Sequence, residues 1–291
     1  MRTKKYFLWA LLLMPLFIAC DKDNDGANVD GAATVDQLIG SWSVKDDGTM
    51  PYDEKSIVLK EDGKYDIRDT WYSYSDSGVQ YISEQFKTEG TYKFEGGKLK
   101  ILTGETLYRE GDMNQGTGEY ALSDWEPLSE EDGGKFEPGE LAVSLKLGGS
   151  LLLLSEEGDP NQVFFIKEGA KLSSDKSALK GTWIASDVFN NKTYAYAVKF
   201  DADSLDYVDS YWGDRYISGY DFKEGYITPT TCVYWGWDFE ADDDEFNMAD
   251  PYANTWVLSD DEYYINPFPF IVDGKIAYAW VDSEFLTFKK K

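Results

Sequence analysis

The sequence predicts an all-β protein built as two tandem antiparallel up-and-down β-barrels, and three observations carry that expectation. Apolar and polar residues alternate with period two through most of the chain, turn residues punctuate the alternation at short intervals, and the whole pattern occurs twice. Almost nothing has the 3.6-residue periodicity of a helix of three turns.

The first residues are an address. Arg2, Lys4 and Lys5 precede an apolar run from Tyr6 to Ile18, too short to span a bilayer, which takes about 20 helical residues, so residues 1–19 have the form of a signal peptide. Phe17-Ile18-Ala19-Cys20 resembles the lipobox of bacterial lipoproteins, with Phe17 standing where Leu is usual. The resemblance implies cleavage before Cys20, acylation of its thiol and new amino group, and membrane attachment through that lipid, several acyl chains at about 0.8 kcal/mol per buried CH₂ making a stable anchor. Residues 20–34 have the composition of an acidic flexible tether. Their Asp and Asn run looks like the signal by which some Gram-negative lineages send lipoproteins to the outer face of the outer membrane. Asp21, Asp23, Asp25 and Gly26 also match the start of a calcium loop, but Ala32 replaces the closing bidentate Glu and Asn28 the apolar residue, so no metal is expected there.

Two barrels then follow, over 35–170 and 171–291. "VDQLIGSW" (Val35 to Trp42) recurs as "DKSALKGTW" (Asp175 to Trp183), so that Gly40 and Trp42 in one half correspond to Gly181 and Trp183 in the other. "IVLKEDGKYDI" from Ile57 pairs with "AVKFDADSLDY" from Ala197, "YKFEGGKL" from Tyr92 with "YDFKEGYI" from Tyr220, and the closing "VFFIKE" from Val163 with "FLTFKK" from Phe285. Strands are expected where Leu99 and Ile101 alternate with Lys98 and Lys100, and where Leu141, Val143, Leu145 and Leu147 alternate with small or polar neighbours. Hairpin turns are expected at Glu61-Asp62-Gly63-Lys64 and Glu95-Gly96-Gly97. Closing such strands into barrels removes exposed edges. A Gly- and acid-rich insertion, 105–140, is expected to be a loop.

Each half resembles a bacterial lipocalin-like domain, whose first strand follows a short turn with Gly-x-Trp. The Gly permits a sharp turn, and the Trp can cross the barrel floor with its N–H on a carbonyl. Gly40, Trp42, Gly181 and Trp183 are therefore assigned structural roles. The Arg that packs on this Trp near the last strand of lipocalins has no counterpart in this sequence.

Composition excludes several functions. Removing residues 1–19 takes three of 28 Lys and Arg and none of 54 Asp and Glu, moving the formal charge from −26 to −29, which repels nucleic acid and anionic headgroups. With no His, imidazole acid–base catalysis, Ser-His-Asp and Cys-His nucleophiles and His-bearing zinc sites are unavailable. With Cys20 acylated, Cys232 has no disulfide partner and is read as a small buried hydrophobe. Two Ser-x-x-Lys matches, at Ser173 and Ser177, lack the companion motifs of serine acyl-enzymes, and carboxylate pairs are too abundant here to point to a glycosidase. No enzyme activity and no cofactor are expected.

The aromatic second half carries the binding candidates. Trp235 and Trp237, with Val233 and Phe239, share one strand face; Tyr194 and Tyr196 lie on a second stripe; Tyr207 and Tyr211 lie on a third. Facing inward, these six either fill the barrel or line a cup for a small hydrophobic or aromatic ligand. Facing outward, aromatics near Trp212, Tyr216 or Trp256 stack on glycans or partner proteins. The sequence leaves both open, and Asp242-Asp243-Asp244-Glu245 is expected to be a solvated acidic tip without metal.

Overall fold

The computed structural model describes residues 33–48, 50–114, 117, 119–129, 134, 138–156, 161–189, 192–238, 240–241, 246–259, 265–281 and 284–291. The signal-peptide and lipobox assignments, Cys20, most of the tether and the 242–245 acidic tip lie outside them. Apart from the short segments 46–49 and 160–162, the chain divides into two compact units at Ala170/Lys171.

The first unit opens with the one-turn helix α1 (Val35–Leu38), held by a capping box between Thr34 and Gln37. It runs through β1 (Gly40–Lys45), β2 (Asp53–Leu59), β3 (Lys64–Tyr74), β4 (Gln80–Glu95), β5 (Lys98–Met113), β6 (Tyr120–Leu122), β7 (Glu126–Pro127), β8 (Gly139–Lys146), β9 (Leu151–Ser155) and β10 (Val163–Lys167). Antiparallel pairing follows chain order around a ring, β1-β2-β3-β4-β5-β8-β9-β10, and returns to β1. The ring is uneven, because β3, β4 and β5, at 11, 16 and 16 residues, overshoot neighbours of 5 to 8.

In the second unit α2 (Lys176–Leu179) precedes β11 (Gly181–Phe189), β12 (Lys192–Phe200), β13 (Ser204–Asp209), β14 (Asp214–Lys223), β15 (Tyr226–Trp237), β16 (Trp256–Leu258), β17 (Phe268–Asp273), β18 (Ile276–Val281) and β19 (Glu284–Lys290). Eight of these strands close a barrel in the order β11-β12-β13-β14-β15-β17-β18-β19, and β19 pairs with β11. The architecture is all-β, with two tandem up-and-down rings. Among the described residues no helix is long and apolar enough to cross a membrane.

Both rings share a device invisible in the sequence: their fifth strand divides its pairing. The lower part of β5 pairs with β8 and its upper part with β6 and β7, while β15 pairs with β17 at Tyr226 and Ile227 and with β16 at Trp235 to Trp237. The segment from Glu105 to Met113, expected to be part of a loop, is consequently strand. Buried Thr88 and Thr106 share a hydrogen bond of 3.1 Å, and Phe86 packs on Tyr108 with ring centroids 4.8 Å apart. These cross-strand contacts continue the ladder despite the acidic, Gly-containing composition.

The expected turns at Glu61–Lys64 and Glu95–Gly97 join β2 to β3 and β4 to β5. At the head of each first strand the backbone is left-handed, with φ of +133° at Gly40 and +118° at Gly181, which explains glycine at both positions.

Candidate functional site

The floor of each barrel is built alike. Trp42, 1% exposed, donates its indole N–H to the Leu38 carbonyl at 2.8 Å, and Trp183, 0% exposed, donates to the Leu179 carbonyl at 2.6 Å. Each bond fastens the first strand to a last-turn carbonyl of a one-turn helix that has few other partners for it. A lysine from the last strand of each half stands over the floor ring. Lys167 Nζ stands 5.1 Å from the Trp42 ring and Lys290 Nζ 4.9 Å from the Trp183 ring. The same ammonium groups donate to the helix backbone, Lys167 to Gln37 O at 3.4 Å and Lys290 to Ala178 O at 3.1 Å. One lysine thus joins floor, helix and closing strand in each half.

Above its floor the second barrel is packed with rings. Phe270 meets Trp183, Phe200 and Phe288 at centroid distances of 5.7, 5.2 and 5.4 Å, and Phe200 meets Tyr220 at 5.3 Å. Tyr196 and Tyr207, two of the six candidate ligand residues, belong to this core at 5% and 1% exposure. Tyr207 stacks on Tyr216, and Tyr216 on Tyr234. The Tyr216 and Tyr234 hydroxyls both donate to Asp214 at 2.7 Å.

Trp235 and Trp237 lie on the other face. Register sets this: Tyr216 pairs with Tyr234, so the inward positions of β15 are Cys232 and Tyr234, and both indoles stand outside the barrel. A shift of register between Ser218 and Tyr220 allows Ile227 and Cys232, of opposite parity, to reach the same core. Outside, Trp237 packs on Phe246 and Phe246 on Trp256. Arg215, paired with Asp206 at 2.7 Å, stands 5.9 Å from the Trp256 ring. Tyr252 donates to the Asp206 carbonyl at 2.7 Å, and its hydroxyl pKa is raised by burial first and by Asp206 second. This is a satellite core under the β15–β16 connection. The six-residue cup expected from sequence is therefore not assembled inside the barrel, and Tyr216, considered as an outward stacking residue, is 5% exposed within it.

Tyr194 and Tyr211 meet at the mouth. Tyr211 contacts Tyr194 at 4.8 Å, Phe189 at 5.8 Å and Trp212 at 4.8 Å, all edge to face. Trp212 is 68% exposed. The turn carrying it is clamped: Asp209, 2% exposed, accepts the Tyr211 amide at 2.7 Å and the Trp212 amide at 3.4 Å, while Ser210 Oγ accepts the Ala195 amide at 2.6 Å. Asp214 stands opposite Asp209 in register. At the same end, desolvation and then Asp187 push the Glu284 carboxyl up to about 7. The mouth of the second barrel therefore joins four aromatic rings to carboxylates, a combination in which Trp212 alone signals its role by sequence position, beside the turn glycine Gly213.

The first barrel's interior is apolar below and charged above, where Lys55 Nζ lies 2.8 Å from Asp69 and 3.6 Å from Asp53. A cleft of about 340 Å³ that is open to solvent is lined by Gln37, Ser150, Lys167 and Glu168 together with Gly148 and Gly149. Cys232 is partly buried, and desolvation raises its thiol pKa, so no reactive thiolate is held there. The two Ser-x-x-Lys matches resolve as helix-capping structure: Asp175 accepts the Ser177 amide at 2.9 Å, and Lys176 donates to Tyr220 O at 2.8 Å. Among the described residues no group of three or more acidic or Cys side chains is placed to hold a metal.

The fold and these floors define the class: tandem antiparallel β-barrels, compatible with a lipocalin-like fold. No family model matches the chain, and no curated protein matches it in sequence.

Proposed function

We propose that this is a non-catalytic, lipid-anchored binding protein of the bacterial outer membrane, displayed at the cell surface, that takes a sugar ring of a glycan at the mouth of its second barrel. The observation that carries the reading is the preassembled cluster of Phe189, Tyr194, Tyr211 and Trp212 on a turn that buried Asp209 clamps. Aromatic faces suit the apolar face of a pyranose, and a ligand meeting a clamped turn loses little free energy to ordering it. The packed interior favours the mouth over the axis as the place for a ligand.

A glycan panel probed with the full chain tests the reading, with Trp212→Ala as control. Saturable binding that falls at least tenfold in the variant is expected. A blank panel, together with fatty-acid, sterol or tetrapyrrole adducts in native mass spectrometry, would favour a hydrophobic ligand inside a barrel instead. The lipid anchor has its own test: a palmitate analogue should label the wild-type chain and spare Cys20→Ser, and equal labelling would remove the anchor.

A further inference from the structure

Beyond residue 19 the chain has three arginines, Arg68, Arg109 and Arg215. Two of them take a carboxylate on both prongs of the guanidinium. Arg68 Nε and Nη2 donate to Asp66 at 2.7 and 2.9 Å, and Arg215 Nε and Nη2 donate to Asp206 at 2.9 and 2.7 Å. Arg109 makes the same fork to a neutral amide: its Nε and Nη2 donate to Gln85 Oε1 at 3.0 and 2.6 Å. In a chain with 54 acidic residues, the exception stands out chemically.

The surroundings hold this guanidinium in place without neutralising it. Gln85, 5% exposed, in turn donates to Thr70 Oγ1 at 2.7 Å, and Thr70 is 4% exposed. The Trp125 ring lies 4.3 Å from the Arg109 guanidinium carbon and 4.8 Å from Lys87 Nζ. Burial, then the neighbouring positive charge of Arg68, lowers the Arg109 pKa from its ordinary value. The nearby cations are already engaged, Lys87 with Glu89 at 2.8 Å and Arg68 with Asp66. Because Gln85 occupies the Nε–Nη2 edge, the remaining N–H groups on Nη1 and Nη2 form an end-on edge that no carboxylate of the described residues meets. A partly desolvated cation whose open edge has two parallel donors is a receptor for an oxyanion, and a rigid fork gives it geometric selectivity that an ammonium lacks.

We propose that Arg109, backed by Trp125 and oriented by Gln85, is an anion-recognition point on the outer face of the first barrel, accepting a carboxylate, sulfate or phosphate group of a ligand on its end-on edge. The site is independent of the aromatic mouth of the second barrel and stands whether or not that mouth binds sugar.

The test uses the full chain labelled with ¹⁵N-arginine, which gives one Nε–H signal per arginine, titrated with acetate, sulfate and phosphate against chloride at matched ionic strength. The expected result is a saturable shift of the Arg109 signal with at least one oxyanion, at concentrations that leave the Arg68 and Arg215 signals in place. Preference for acetate assigns a carboxylate ligand, and preference for sulfate or phosphate a tetrahedral one. Arg109→Lys, which keeps the charge and the aromatic contact, should weaken binding about tenfold or more. Arg109 shifts no larger than those of the other arginines, or a linear drift with all three oxyanions and chloride alike, would overturn the proposal and leave Arg109 as a clasp for Trp125. Unchanged oxyanion affinity in Arg109→Lys would overturn it as well.

Discussion

Substituting one tryptophan at a time by phenylalanine separates inside from outside more sharply than any other perturbation. In Trp183→Phe the phenyl ring still fills part of the floor, but the 2.6 Å bond to Leu179 is lost and a carbonyl in a 0% exposed environment loses its donor. That orphaned acceptor costs about 1–3 kcal/mol. Lost indole contacts in a site that relaxes only partly add about 1 kcal/mol. The expected total is about 2–4 kcal/mol. With urea slopes of about 1–3 kcal/mol/M, the transition containing the second unit should fall by about 0.7–4 M, followed by far-ultraviolet circular dichroism. Trp235→Phe is the comparison. Its indole N–H is buried without an acceptor, so its removal breaks no hydrogen bond, and the expected change is below about 1 kcal/mol. If Trp183→Phe costs less than Trp235→Phe, the assignment of floor and exterior is wrong.

Other expected outcomes can be checked separately. Gly181→Ala should destabilise by about 1–3 kcal/mol, since φ is +118° and the new Cβ would meet Lys290 Cε at 3.2 Å; thermal unfolding reads it, and an unchanged midpoint would refute the strain. Glu284, with its folded pKa raised above its ordinary 4.5 to about 7, binds more protons folded than unfolded between those values. Its contribution is therefore fully present below about pH 4.5 and is lost as pH rises through about 7. Glu284→Gln should flatten that part of the stability profile, by an amount reduced by solvent screening because the residue is exposed. Cys232 should react with iodoacetamide at pH 8 more slowly than free cysteine and recover the free rate in denaturant; equal rates in the folded chain would contradict its raised pKa.

The barrels were legible because their determinants are local. Period-two alternation, Gly96-Gly97 hairpins and two copies of Gly-x-Trp specify strands, turns and floor without reference to distant residues. The role of Lys167 and Lys290 could have been read from the repeat, since each stands in the final strand of its half. Three features were not legible, each for a nonlocal reason. The faces of Trp235 and Trp237 depend on the register of β14 against β15, which the irregularity at Ser218 to Tyr220 shifts. Residues 105–113 form strand because β4 supplies partners as far as Glu110 and β6 pairs with Gly111 to Met113. The Phe189, Tyr194, Tyr211 and Trp212 cluster joins two hairpin ends that come together only when β12 pairs with β13.

The most direct measurement is the affinity of one glycan ligand for four versions of the full chain: wild type, Trp212→Ala, Tyr211→Ala and Trp256→Ala. Binding at the mouth requires that Trp212→Ala and Tyr211→Ala each lose tenfold or more while Trp256→Ala, whose ring packs on Phe246 outside the barrel, stays within about twofold. A ligand that tolerates loss of Trp212 and Tyr211 but not of Trp256 would place recognition on the satellite core instead and contradict the reading.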